Sequence, residues 1–184
     1  MPQQKPKKSP SGLELLGPTT WPAIYREWWR QEGRRTDWRR HLRQRGFSSW
    51  RAWREAVIIK PFQLQQQRWQ VFRVTDPTMV IDWHGGPFPG WKKSYYAGAQ
   101  TRSFRWLVAD GKIKKNRKVK AFKKIPRTMK FFGLRYHGRI IIIDGMHRCC
   151  ALALMIARKK PVRTAITLAL AETTKLPKLK ARMV

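Results

Sequence analysis

Apolar positions in the first sixty residues recur at helical spacing. Trp21, Ile24, Tyr25 and Trp28 lie three and four apart, which predicts an amphipathic helix to about Gln31, with Pro22 in its first turn and Gly33 breaking it. Thr36 can cap a second helix, Asp37 to Gln44, with Trp38 and Leu42 on one face and Gly46 ending it. Ser48 or Ser49 caps a third, whose stripe is Phe47, Trp50, Trp53 and Val57, and Pro61 closes the region. Beyond Pro61 the period becomes two. Trp69-Gln-Val-Phe-Arg-Val predicts a strand, and Met79-Val-Ile-Asp-Trp a second short one after the Asp76-Pro77 turn. Gly and Pro are dense from Gly85 to Gly90, which predicts a loop. Ser103 to Ala109 reads as a helix ended by Gly111. Arg139-Ile-Ile-Ile-Ile is apolar on both faces and predicts an interior strand. The Asp144-Gly145 turn leads into a helix from His147 to Ala157, which the basic run before Pro161 ends. Val162 to Leu170 is a β-branched last strand.

The pattern divides the chain into four parts. Residues 1–20 form a flexible basic arm on which Leu13, Leu15 and Leu16 can dock. Residues 21–60 form a Trp/Arg-rich helical unit, 61–170 an α/β or α+β domain, and 171–184 a basic tail. The longest apolar run, Cys149 to Ala157, is far short of a bilayer span, so no membrane role is expected. The basic start has no apolar segment behind it, unlike a secretory signal. Cys149 and Cys150 are adjacent and unsuited to bridging each other, which suggests a reducing compartment, cytoplasmic or nucleoid-associated.

Charge changes this picture most. The chain of 184 residues holds 41 Lys and Arg against 10 Asp and Glu, a net charge of +31. Each cation set on a phosphate releases condensed counterions, so DNA or RNA is the expected partner. Lys112 to Lys124 carries eight cations in thirteen residues, with Ile113, Val119 and Phe122 as its large apolar anchors. Within it Lys112, Lys114, Lys115, Arg117, Lys118 and Lys120 are the candidate phosphate-backbone contacts. Six of the ten Trp precede residue 60, beside arginines that would also suit base stacking; their helical spacing favours a core. Three short basic helices fit a helix-turn-helix and a packing appendage alike. His41, His84 and His137 have no ligand spacing, so zinc is not expected.

Candidate chemistry concentrates in Ile140-Ile-Ile-Ile-Asp-Gly-Met-His-Arg-Cys-Cys-Ala-Leu. A strand that turns at a glycine straight into a helix points free backbone amides and the positive helix end at one spot. Gly145 allows a phosphate to approach the backbone, Arg148 can fork two hydrogen bonds onto it, and His147 can donate to it or shuttle a proton. Asp144 can hold Mg²⁺ or accept a proton. Asp144 and His147 are therefore the candidate catalytic residues, and Gly145, His147 and Arg148 the phosphate-binding ones. In the first helical turn, Arg148 is expected to point outward and to be replaceable without harm to the fold.

The stretch Ile142-Ile-Asp-Gly-Met-His-Arg-Cys-Cys-Ala-Leu resembles the Asp-Gly-x-His-Arg box of the ParB/sulfiredoxin superfamily, and the order of elements over about 62–170 is similar. The resemblance implies a small mixed sheet with flanking helices that binds a nucleoside triphosphate, CTP or ATP with Mg²⁺, on the box. Members include DNA-partition proteins, sulfinic-acid reductases and serine kinases. Met146 stands where the reductases place a nucleophilic Cys, so sulfinic reduction is not expected. Met146-His147-Arg148 replaces the Glu-Arg-Arg of the partition proteins, so their CTP switch is not carried over. The expectation is a nucleic-acid-associated nucleotide-binding protein. The alternatives are a small-molecule phosphotransferase of the free-serine-kinase type and a basic DNA- or RNA-binding protein with a vestigial nucleotide site. A kinase needs a second carboxylate, for which Asp76, Asp82 and Asp110 are available.

Overall fold

A single mixed sheet organises the chain. The computed structural model describes residues 12–33, 38, 42–122 and 124–179. The strands are β1 (Leu13–Thr19), β2 (Trp69–Val74), β3 (His84–Gly85), β4 (Thr128–Tyr136), β5 (Arg139–Asp144) and β6 (Ala165–Glu172), in the spatial order β1-β2-β6-β4-β5-β3. β1 with β2, β2 with β6 and β4 with β5 are antiparallel; β4 with β6 and β3 with β5 are parallel. The helices are α1 (Trp21–Glu32), α2 (Trp50–Arg54), α3 (Pro89–Tyr95), α4 (Phe104–Asp110), α5 (Arg117–Lys120) and α6 (Met146–Ala157). A wide turn, Glu55–Ile59, and a last turn, Lys60–Phe62, prolong α2. The expected class, a mixed sheet with flanking helices, is what the chain forms. Among the described residues no helix is long and apolar enough to cross a membrane.

Local chemistry accounts for several boundaries. Pro22 occupies the first turn of α1. Ser49 caps α2 by accepting from the Ala52 amide at 3.1 Å, and Ser103 caps α4 by accepting from Trp106 at 3.2 Å. Gly111 ends α4 in the left-handed region. β5 is an interior strand, with β4 on one side and β3 on the other, and all four of its isoleucines are buried, as a strand covered on both faces requires. α6 follows β5 directly and packs against α4, α5 and the segment Pro77–Asp82, so the β5–α6 turn lies at the end of β5.

Three expectations are corrected. Leu13–Thr19, within the expected basic arm, forms the edge strand β1, tied to β2 through backbone pairing and an Arg73–Glu14 ion pair at 3.0 Å. Residues 1–11 of that arm lie outside the described residues. Met79–Trp83 is not a strand: Pro77–Asp82 is a 3₁₀ turn, because Asp76 accepts from the Thr78 amide at 2.9 Å and winds the chain. The final strand begins at Ala165 and runs to Glu172, which shortens the tail. Of the expected helix Asp37–Gln44, Trp38 and Leu42–Gln44 are helical and the rest lies outside the described residues.

The Trp-rich segment shares its core with the sheet. Trp21 lies 5.9 Å from Trp69 and 6.1 Å from Phe132, and Trp28 lies 5.0 Å from Phe132 and from Trp50. Trp28, Trp50 and Trp53 are all buried, as the core reading of their spacing requires. α1 therefore covers one face of β2 and β4. No packing boundary falls at residue 60.

Candidate functional site

The Asp144–Arg148 turn lines a cleft of about 590 Å³. Several stretches of chain build its walls, α3 among them with Gly90 and Trp91. β5 and the start of α6 supply Asp144, Gly145, Met146, His147 and Arg148; α1 supplies Trp28, Gln31 and Glu32; α2 supplies Trp53 and Arg54; α5 supplies Lys118. Gly145 holds φ +100°, and a Cβ there would strike the Phe131 ring. Glycine is thus required at the turn by backbone conformation and by packing alike.

Asp144 and Arg148 form an ion pair at 2.6 Å, one helical turn apart. Arg148 does not point outward as expected. Its other arm donates to Gln31 Oε1 at 2.9 Å, and its guanidinium lies 5.1 Å from the centre of the Phe131 ring. Gln31 in turn donates to Glu27 at 3.2 Å. Arg148→Ala would therefore leave a buried carboxylate unpaired, a change that destabilises by about 3–5 kcal/mol. The conservative Arg148→Lys is the informative substitution.

A second ion pair stands beside the first. Arg54 donates to Glu32 at 2.5 Å and is only 8% exposed. Its guanidinium sits 4.0 Å from the Trp53 ring centre, 5.0 Å from Trp28, 5.2 Å from Trp38 and 5.7 Å from Trp50. Planar, weakly hydrated guanidinium tolerates this setting where ammonium would not. The second carboxylate in the cleft is thus Glu32. Asp82 instead pairs with Arg105 on the surface at 2.7 Å, Asp110 with Lys112 at 3.7 Å, and Asp76 caps the 3₁₀ turn. Nothing local marks Glu32 in the sequence, because its partner is 22 residues away.

Burial pushes the Asp144 carboxyl up from 3.8 to about 6; Glu32 adds to the rise, and Arg148 and Arg54 oppose it. Asp144 is therefore ionised at pH 7 and close to the range where a carboxylate exchanges protons. A folded value above the unfolded one means that the fold favours the neutral carboxyl. The associated stability is complete below about pH 4 and is lost as pH rises through 6, in all about 3 kcal/mol. Asp144→Asn should remove that decline. Unfolding free energies from urea titrations at intervals from pH 4 to pH 7 should show the gap between variant and wild type changing by about that amount; parallel profiles would place the titration elsewhere.

Among the described residues no three His, Cys, Asp or Glu side chains converge as a metal cage. Asp144 is a single carboxylate with Oδ2 engaged by Arg148. That suits a Mg²⁺ carried in on phosphates rather than one held by the protein alone. Met146 is buried, with its sulfur accepting from the Gly86 amide at 3.3 Å. Cys149 and Cys150 are buried in α6, and burial pushes both thiols up, away from nucleophilic form.

Lys112, Lys114, Lys115, Arg117, Lys118 and Lys120 are all exposed, while Ile113 and Val119 anchor the segment beneath them. The basic segment is thus a ridge with a fixed base. Lys118 joins it to the cleft, standing 4.5 Å over the Trp38 ring. Comparisons with protein-family models, with curated proteins and with solved structures find no significant match.

Proposed function

We propose that the protein is a nucleic-acid-associated, ParB-like nucleotide-binding protein, holding ATP or CTP with Mg²⁺ at the Asp144–Arg148 turn. One observation carries the reading. The strand-to-helix turn, the start of the twelve-residue helix α6 and a lysine of the basic ridge all border one cleft of about 590 Å³. The first amides of a helix have no partner within it, and α6 has no side-chain cap to take them. They and the positive helix end favour an anionic ligand. Arg148 uses one hydrogen bond on Asp144 and one on Gln31, which leaves donors of its five-donor fork for phosphate oxygens. His147 stands beside it on the cleft wall, and Lys118 adds charge from the opposite element. Bound Mg²⁺ would neutralise phosphate charge, with Asp144 orienting it. The ridge supplies the nucleic-acid contact.

Calorimetric titration of MgATP and MgCTP tests the reading. Binding of either to wild type should weaken in Arg148→Lys by about 1.5–3 kcal/mol, the range for hydrogen bonds to charged groups, because lysine keeps the charge and loses the fork. Equal affinities in the two proteins would sink the phosphate role of Arg148. No heat in either would leave a basic nucleic-acid-binding protein. Glu32 beside Asp144 supports a second reading, a small-molecule phosphotransferase, in which the two carboxylates share base and metal-orienting roles. That reading requires release of ADP on addition of a hydroxyl-bearing acceptor.

A further inference from the structure

The cleft has one aromatic surface that differs from the rest. Trp28, Trp38 and Trp53 all line it, and all three face the Arg54 guanidinium at 4.0–5.2 Å, with Lys118 over Trp38 as well. Their rings are committed to cations of the protein itself. Trp91 is not. It projects from α3 on the other side of the turn, is half-buried, and among the described residues no guanidinium or ammonium lies over its ring. Tyr95 at 5.0 Å and Tyr96 at 6.3 Å back the indole and fix it. The buried Tyr96 is itself anchored, donating to the Gly86 carbonyl at 3.0 Å. The Trp91 ring then meets His147 at 5.0 Å, tilted by 58°.

A rigid indole that touches a residue of the phosphate-binding turn has the chemistry of a base platform. Every nucleobase presents a π-face, and stacking on an aromatic side chain does not depend on hydrogen-bond readout. We infer that Trp91 stacks the nucleobase of the ligand whose phosphates lie on the Gly145–Arg148 turn. The proposal deepens the nucleotide reading and rests on it. It makes the cleft selective for nucleotides over other polyphosphates, with little preference among bases.

Titration of the full chain with MgATP, MgCTP and magnesium tripolyphosphate tests it. In wild type both nucleotides should bind about 5- to 150-fold more tightly than tripolyphosphate, the worth of one stacked base. Trp91→Leu keeps apolar bulk and removes the π-face. Within that variant both nucleotides should fall to the level of tripolyphosphate, so the ratio of the affinities, and not any one of them, is what reads the stack. Trp91→Phe should retain most of the preference, and a Trp91→Leu that melts early passes the decision to it. A nucleotide preference that survives in Trp91→Leu, or is lost outright in a stable Trp91→Phe, overturns the platform. Tripolyphosphate binding as tightly as ATP to wild type overturns it too and leaves the phosphate site standing. If neither compound binds, the nucleotide reading falls and the platform with it.

Discussion

Generic DNA or RNA should bind this protein below micromolar concentration at about 50 mM salt, and by about 200 mM the affinity should fall at least a thousandfold. The size of the effect comes from six exposed cations in nine residues, Lys112 to Lys120. Six phosphate contacts give a slope near −5 in log affinity against log salt, at about −0.9 per contact on duplex DNA. Replacing Lys114, Lys115, Arg117 and Lys118 by Gln should flatten that slope by about 3 to 4. Buried Ile113 and Val119 stay in place, so the ridge keeps its shape while losing its charge. Filter binding over a salt series reads both quantities. Absence of binding at about 50 mM, or a slope that the four substitutions leave unchanged, would remove the ridge from the nucleic-acid contact.

The largest effect on stability should come from Trp28. It is 2% exposed, meets Trp50 and Phe132 at 5.0 Å each, and forms part of the ring around Arg54. Trp28→Ala should destabilise by about 3–5 kcal/mol in denaturant unfolding, through lost transfer energy and the cavity left behind. Trp29, the next residue, is 37% exposed, and its replacement by Ala should cost a fraction of that. Trp28 joins α1, α2 and β4, so the loss should appear as one cooperative transition for the whole molecule. An early separate transition, with the sheet melting later, would show that the helical segment is an appendage. A Trp28→Ala protein of unchanged stability and weakened single-strand affinity would return the tryptophans to base stacking.

What could be read from the sequence was local. β2, β5 and α6 follow from alternation, an unbroken run of isoleucine and a Gly turn, all within a few residues of one another. The cap at Ser48 or Ser49 was legible for the same reason, and the structure places it at Ser49. β1 was hidden because Gly17 and Pro18 interrupt its pattern and because its pairing partners lie fifty residues or more away. β4 shows no clean alternation: Phe131–Leu134 are buried in an unbroken row, and Lys130 and Arg135 flank them. Asp82 was offered as a catalytic carboxylate and is a surface partner of Arg105. The Asp144–Arg148 box was legible as a candidate site, and it borders the cleft. Its companions Gln31, Glu32 and Arg54 were not, because they carry no motif and reach it only through tertiary packing.

The hydrogen bond from Arg148 to Gln31 spans 117 residues of sequence. Through it the box borrows part of its shape from the beginning of the chain. A fragment starting at residue 61 would retain every letter of Asp-Gly-x-His-Arg and lose Gln31, Glu32, Arg54 and three of the indoles that wall the cleft, Trp28, Trp38 and Trp53. It would also strip α1 from Phe132 and Trp69, leaving aromatic surface open to self-association. The motif is therefore not a portable cassette in this protein: grafting or excising it means carrying the tryptophan-rich segment along.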